Sequence, residues 1–537
     1  MYYIETGTQG TNTPPSPSVR VFDRLRSQAT VVNLIGLLCA FFLLGCLLFL
    51  HEPWNLRIPL YLIVAIWAIL RPRVALYLMP IAVPWGSVDT ITLVGANLNS
   101  ADILVGLLAV GWLLSFILRP VLPHSDIANT VLDREEHTVP RYLIVSVVIL
   151  LIAMLISMTG AYSVRTSLKE LAKWIELLIV ILIGSQYFRT RRQIWTLIVV
   201  LCLAAISQAI YGYIQYFFDI GPQAFIRDAS LRVYGTFGQP NPYAGYINMT
   251  LMVALAPALL GGKAKTRILA AITAVLLLAA EIFSQSRGGE IAMAVGLLVI
   301  LVIGVPLMRK LAAIGVVGAL LITAGYLAGK VPQKLVNPVI NILGLKKISF
   351  TAPSPQDYST AERLAHWYAG IQMFITHPWT GVGIGNYPNA YPQYYITIFV
   401  NSLGHAHNYY INMAAETGII GLTAFLFFLG ALFTAGAQAY RRLNRRYREQ
   451  QQRRRFPERI MTEVEALRSR AKMQMLTDDR ALAIGLIASL VTVCTHNMVD
   501  NLYVHSMTIL FALLLVALIR LPAVTSQESY NKEKVAY

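Results

Sequence analysis

His405-Ala406-His407-Asn408-Tyr409-Tyr410-Ile411-Asn412-Met413-Ala414-Ala415-Glu416-Thr417-Gly418 closes a long polar loop and leads into an apolar run, Ile419 to Ala435. A run of that length spans most of a ~30 Å hydrocarbon core when helical. The stretch therefore reads as a reactive loop entering a membrane. Similar apolar runs recur along the chain, near 30–50, 57–71, 73–87, 101–119, 141–159, 168–188, 193–218, 242–261, 267–284, 289–308, 311–329, 407–437, 478–498 and 503–520. They are continuous rather than alternating, which points to helices and not to a barrel. Pro80 and Pro84 interrupt the third run, where a short or broken helix is expected.

Composition agrees. Of 537 residues, 56% are hydrophobic and 13% charged, about half the charge of a typical soluble protein. The expected fold is an all-α polytopic membrane protein with about 12–14 transmembrane helices and one long external loop carrying surface helices. The chain divides into a disordered cytoplasmic tail, 1–29, with no signal-peptide core; an N-terminal bundle, 30–329; the external loop, 330–406; a transmembrane helix, 407–437; a basic cytoplasmic loop, 438–477; a C-terminal hairpin, 478–520; and a cytoplasmic tail, 521–537. The four cysteines, Cys39, Cys46, Cys202 and Cys494, all fall in apolar runs without CxxC spacing, so neither a disulfide nor a structural zinc site is expected.

Lysine and arginine in short loops set the orientation. With the N-terminus inside, the basic segments Arg71-Pro72-Arg73, 119–141, Arg189 to Arg192, Lys263 to Arg267, Arg309-Lys310 and the chain after Tyr440 all fall inside. The last holds eight arginines between Arg441 and Arg455. The net charge of +17 thus reads as topology and lipid contact, not nucleic-acid binding.

Four external features carry the candidate chemistry. Arg232 opens a Gly/Pro-rich loop in which Asn241 is expected to cap the next helix. Arg287 lies in the tight turn Ser284-Gln285-Ser286-Arg287-Gly288-Gly289, with Glu281 and Glu290 as possible ion-pair partners. Arg363, beside Glu362 and His366, lies on a helix expected over Ser359 to Thr376, with Leu364, Trp367, Tyr368, Ile371 and Phe374 on its apolar face. A flexible turn, Gly381-Val382-Gly383-Ile384-Gly385, follows it. Last comes the opening stretch, with His405, His407 at a helix start, Asn408, and Glu416 one or two turns inside the membrane. His496 and Asp500, at i, i+4, read as a structural hydrogen bond. External arginines suit a diphosphate, and a nearby histidine suits proton removal from a hydroxyl. No Walker motif and no external Asp-x-Asp pair accompany them.

At these residues the chain resembles the O-antigen ligase and polymerase superfamily of bacterial membrane glycosyltransferases. The matching pieces are Arg232 with Gly-Thr-Phe and Pro240-Asn241-Pro242-Tyr243-Ala244-Gly245; Ser286-Arg287-Gly288-Gly289; Arg363-x-x-x-Trp367; His377-Pro378-Trp379-Thr380-Gly381-Val382-Gly383; and His407-Asn408 with Glu416-Thr417-Gly418. The resemblance implies a GT-C-like fold in the bacterial cytoplasmic membrane, with both termini cytoplasmic and the active site external. It implies a metal-independent inverting transferase without a cofactor. The donor would be an undecaprenyl-diphosphate-linked glycan and the acceptor a glycan, lipid or protein hydroxyl. Arg232, Arg287 and Arg363 would then bind the diphosphate and His407 would activate the acceptor, supported by His405, Asn408, Glu416 and Asn241. The same superfamily includes proteins once proposed to handle bicarbonate, so a small-anion transporter is the alternative.

Overall fold

Prolines and short polar residues mark where the helices begin. Pro72, Pro240 and Pro306 each take the first helical position, where a missing N–H costs nothing. Thr190 and Thr462 close reciprocal capping boxes with Gln193 and Glu465, while Ser163 and Ser286 cap with their hydroxyls. The architecture comes from a computed structural model, which describes residues 54–86, 90–93, 96–117, 139–227, 230–328, 330, 332, 350, 353, 358–396, 398–455 and 462–534. The run expected at 30–50 and the tail 1–29 lie outside the described residues, as does most of 330–357.

The chain is an all-α polytopic membrane protein. Among the described residues, eight helices are long and apolar enough to cross a membrane: Arg141–Gly160, Arg191–Phe217, Pro240–Leu260, Ala264–Ser284, Arg287–Gly304, Pro306–Ala324, Tyr409–Arg455 and Met507–Ser526. Other expected runs are helical but shorter or more charged. Pro72–Trp85 has 14 residues, about 21 Å, and contains Pro80 and Pro84. Val164–Tyr187 and Glu463–His496 carry charged residues within their length. Two short antiparallel ribbons, Thr90–Leu93 with Ala96–Asn99 and Ile226–Arg227 with Ser230–Leu231, tie loops together without changing the class.

The described chain forms two units, Met1–Leu70 and Arg71–Tyr537. In the first, the described part is the helix Trp54–Leu70. In the second, Pro240–Leu260 packs on Ala264–Ser284 and Glu463–His496, and the latter also packs on Arg287–Gly304 and Tyr409–Arg455. Under the histidine-bearing end lies an aromatic knot. Fully buried Trp174 meets Phe425, Phe428 and Tyr503 edge-on or tilted, with centroids 5.3–5.9 Å apart. Such contacts add about 0.5–1.5 kcal/mol each beyond area burial. The knot fixes Val164–Tyr187, Tyr409–Arg455 and the 497–506 loop relative to one another.

At the other end, Asp478 and Asp479 are buried staples. Asp478 accepts the backbone N–H groups of Gly262 and Lys263. Asp479 accepts Arg191 Nε on both oxygens at 2.8 Å, with Trp195 and Thr525 completing its shell.

The Tyr358–Thr376 helix forms where its periodicity places it, but its buried face is not the expected one. Ala361, Ala365, His366, Ala369, Gly370 and Met373 face inward, while Tyr368 and Ile371 are exposed. Small residues win the inner face because the 387–391 and 406–415 segments approach closely there. The Gly381–Gly385 segment is likewise a fixed strap rather than a flexible turn. Val382 N donates to Ala415 O at 3.0 Å, and Ile419 N donates to Pro378 O at 2.8 Å. The strap docks where Tyr409–Arg455 breaks at Gly418, at φ 63° and ψ −163°. A Cβ on Gly418 would strike the backbone of Trp379, and one on Gly381 would strike that of Glu416.

Candidate active site

The turn at Ser284–Arg287 begins the site. Gln285 adopts left-handed φ 49°, which ends one helix, and Ser286 caps the next through Gly289 N. Arg287 is thus the first residue of a helix, at the positive end of its dipole, where a cation is disfavoured. It is exposed, and among the described residues no acid lies within ion-pair distance. The expected pairing with Glu281 or Glu290 does not form. Glu281 is buried and accepts Asn248 Nδ2 at 3.0 Å, while Glu290 is exposed.

Asn241 is the hub of the site, not a cap. Gln239 holds the N-cap position of Pro240–Leu260, and Asn241 is already helical. Its Oδ1 accepts Ser286 Oγ at 2.9 Å and Arg232 Nη2 at 3.5 Å. Its Nδ2 donates to Asp500 Oδ2 at 2.6 Å. Arg232 is half-buried and also donates to Ser284 O at 3.3 Å. One polar chain therefore joins the Arg232 loop, the Ser286-Arg287 turn and the loop holding Asp500.

Asp500 faces the two histidines. Its Oδ1 lies 3.5 Å from His407 Nδ1 and 3.6 Å from His405 Nε2, and it accepts Asn501 N at 2.8 Å. Burial alone would raise its carboxyl. The imidazole of His407, 3.5 Å away, with those of His405 and His496, reverses that and holds it far below the ordinary carboxylate range. It is an ionised acceptor. The expected His496–Asp500 hydrogen bond does not form: both His496 ring nitrogens lack a hydrogen-bond partner among the described residues. The ring packs instead against Gly288, where a Cβ would lie 3.1 Å from it, next to Arg287.

His407 does not start the helix. It sits just before it in the left-handed region, φ 50°, and Asn408 caps the helix by accepting Tyr410 N and Ile411 N. Trp367 Nε1 anchors the strained residue by donating to His407 O at 3.1 Å. His407 N donates to His405 Nδ1 at 3.0 Å, so that nitrogen carries the lone pair and His405 Nε2 the proton, directed at Asp500. Nitrogen and oxygen atoms of His405, His407 and Asp500 lie within 4.8 Å of one another. In this tautomer, however, His405 presents N–H rather than a lone pair toward Asp500, which does not fit a metal ligand set. Burial pushes His405 down to about 4, against the pull of Asp500 and with the charges of His407 and Arg363 adding to it.

Arg363 is half-buried on its helix, and its charge reaches both His405 and His496. The neighbouring His366 is fully buried. Its ring stacks on Tyr391 at 4.8 Å and lies 5.4 Å from His407, and its Nδ1 is 3.1 Å from Tyr387 Oη. Glu416 has its partner: its carboxylate accepts Tyr387 N at 2.9 Å and Gly385 N–H, tying helix to strap. The fold thus gathers Arg232, Asn241, His405 and His407 directly, and Arg287 through its neighbours Ser286 and Gly288. Asn408 and Glu416 shape the backbone that presents them. Asp500 is the functional candidate that spacing alone mislabels; its signal was a polar cluster, His496 to His505, at the end of an apolar run.

Residues 272–426 match the family model described as O-antigen ligase. The matched segment contains Arg287, Arg363, His405, His407, Asn408 and Glu416, whereas Arg232, Asn241 and Asp500 join from outside it. No curated protein matches the chain. The match spans 155 of the 537 residues and shows that this segment of the membrane protein is similar to O-antigen ligases.

Proposed function

We propose that the chain is an inverting glycosyltransferase. It moves a glycan from an undecaprenyl-diphosphate carrier to an acceptor hydroxyl on the external face of the bacterial cytoplasmic membrane. The observation that carries this reading is the run of contacts from Arg232 through Asn241 and Asp500 to His407, with Arg287 exposed beside it. Arginines stay charged and bind phosphate oxygens bidentately, so Arg232, Arg287 and Arg363 suit a leaving diphosphate. With Nδ1–H directed at Asp500, His407 keeps the Nε2 lone pair for the acceptor hydroxyl proton.

In one displacement the acceptor oxygen bonds to the anomeric carbon. The bond from that carbon to the diphosphate oxygen breaks, and the proton passes to His407 Nε2. Asp500 stabilises the imidazolium, and the arginines stabilise charge on the departing lipid diphosphate. The activated donor already holds the energy of the bond, so no nucleotide is consumed and an external site is workable. The O-antigen ligase match favours this reading over anion transport.

The test is transfer by the purified chain in detergent or liposomes, supplied with undecaprenyl-diphosphate glycan and a panel of glycan, lipid and protein acceptors. A lengthened or newly attached glycan is expected, together with free undecaprenyl diphosphate. Full activity in His407→Ala would remove the assigned base, and no transfer to any acceptor would remove the reading. Gene deletion then separates the two branches: loss of long surface chains marks a polymerase, and accumulation of unattached long chains marks a ligase.

A further inference from the structure

A cavity of about 490 Å³ opens beside His405, between the Val164–Tyr187 helix, the first turns of Tyr409–Arg455 and the loops around Phe237 and His505. That volume is within the range of small-molecule sites. Its walls are of two kinds. Behind one side lie Phe237, 1% exposed, and His505, their rings edge-to-face at 5.7 Å. Opposite them stand hydrogen-bonding groups: Glu170 with Lys173 at 2.5 Å, Asn412 and Glu416.

Two of these polar side chains are almost completely buried. Asn412 and Glu416 are each 4% exposed. Asn412 Oδ1 is used by Ala406 N at 3.0 Å, while among the described residues its Nδ2 has no protein partner. A buried amide left unsatisfied is costly, and here it lines an open cavity. Glu416 accepts Tyr387 N at 2.9 Å and Gly385 N–H. Its other lone pairs, the Glu170 carboxylate and the Lys173 ammonium leave acceptors and donors on one wall.

We infer that this cavity seats one neutral sugar ring of the acceptor, with its hydroxyls against Glu416, Asn412 and the Glu170–Lys173 pair. The inference rests on the glycosyl-transfer reading and deepens it by naming the substrate class. Sugar hydroxyls both donate and accept, which matches a wall holding carboxylates, an amide and an ammonium. The lining selects neutrality: its ammonium, Lys173, is already held by Glu170 at 2.5 Å, so a uronic acid would enter beside Glu416 without a free counter-cation. Position selects the acceptor. The cavity touches none of Arg232, Arg287 and Arg363, and its lip is His405, whose ring lies 4.4 Å from His407. A sugar held there keeps one hydroxyl near the base.

Saturation-transfer NMR on the full-length protein in detergent tests this, with methyl glucoside, methyl galactoside and methyl glucuronide as probes. At least one neutral glycoside should receive saturation, and the glucuronide should receive several-fold less. Asn412→Asp keeps the acceptor for Ala406 N, removes the unpartnered donor and should weaken the neutral signal about fivefold or more. Val504→Trp, which fills the cavity from its lining, should remove it, while His407→Ala should retain it. Equal signals for the neutral and acidic probes, or an unchanged signal in both cavity variants, overturns the inference. The two readings fail separately. Efficient transfer without neutral-glycoside saturation sinks the cavity assignment alone. Specific saturation without transfer to any acceptor sinks the transferase and leaves the sugar site.

Discussion

His407 Nδ1 and Asp500 Oδ1 face each other at 3.5 Å, and Asn241 holds the far oxygen of the same carboxylate at 2.6 Å. A carboxylate so placed favours the tautomer with the proton on Nδ1. Asp500→Asn replaces an acceptor with an amide that can present N–H to the ring. Turnover should fall by about two to four orders of magnitude, the range for mis-set general bases. Because the amide nearly matches the carboxylate in shape, donor binding should change far less than turnover. Steady-state transfer kinetics with a defined lipid-linked donor separate the two. A variant with normal turnover would reduce Asp500 to a loop staple.

Arg287 offers the cleanest separation of folding from function. It is exposed, without an acid at ion-pair distance among the described residues, and it sits at the helix end that disfavours a cation. Arg287→Ala should leave the melting temperature nearly unchanged, since such surface changes stay within about 0.5 kcal/mol. It should raise the KM for the lipid diphosphate donor tenfold or more, and Arg287→Lys should recover only part, because an ammonium lacks the planar fork. A strongly destabilised Arg287→Ala with normal kinetics would assign the residue to the fold.

The membrane class was written in the apolar runs, because hydrocarbon admits few other backbones. The helix over Tyr358–Thr376 was equally visible, but not its inner face. Periodicity counts large apolar residues, whereas close approach by neighbouring segments selects Ala361, Ala365 and Ala369. Arg232, Arg287 and His407 stood out as charged or titratable groups beside apolar runs. The roles of Asn241 and Asp500 did not, since both depend on contacts between segments far apart in sequence. Spacing paired Asp500 with His496 four residues away. The fold turns the carboxylate toward His405 and His407 instead.

Gly418 carries a structural prediction. Its φ of 63° with ψ of −163° is a conformation reserved for glycine, and a Cβ there would strike the backbone of Trp379. Gly418→Ala should cost more than the ~1–2 kcal/mol of left-handed strain alone, since the strap at Pro378–Val382 must also move. Thermal unfolding should show a lower midpoint, and proteolysis should cut the 377–385 strap earlier. Gly430→Ala is the control on the same helix, because a Cβ there meets nothing within 4 Å. Equal stability of the two variants would mean that the strap is not anchored at the break.

Acid should loosen the histidine cluster. Burial, with the charges of His407 and His405 adding to it, pushes His366 down to about 3, and burial pushes His405 down to about 4. Unfolded histidine titrates near 6.5. Between these values the unfolded chain binds more protons than the folded one, so stability is full above about pH 6.5 and is lost as pH falls toward 4. Asp500, held low, works in the same direction under stronger acid. Melting midpoints should fall steadily from pH 7 to 4.5, and His366→Phe should show a shallower fall. A flat wild-type profile would mean that these rings are wetter than their burial shows.

Asp479 tests the end of the bundle opposite the histidines. Its carboxylate is fully buried and accepts Arg191 on both oxygens at 2.8 Å, Trp195 Nε1 at 2.8 Å and Thr525 Oγ1 at 2.9 Å. Asp479→Ala leaves the Arg191 guanidinium, itself only 15% exposed, without its counter-charge. Breaking a buried pair from one side costs about 3–5 kcal/mol. Asp479→Asn should cost less, since the amide oxygen still accepts from Arg191 or Trp195. The double variant Arg191→Met with Asp479→Leu should recover much of the loss by removing both charges. Thermal unfolding in one detergent ranks the four proteins. Whatever folded Asp479→Asn remains should transfer glycan at the wild-type rate, because the staple holds helices and touches no substrate group. A selective loss of turnover at full stability would place Asp479 in the chemistry instead.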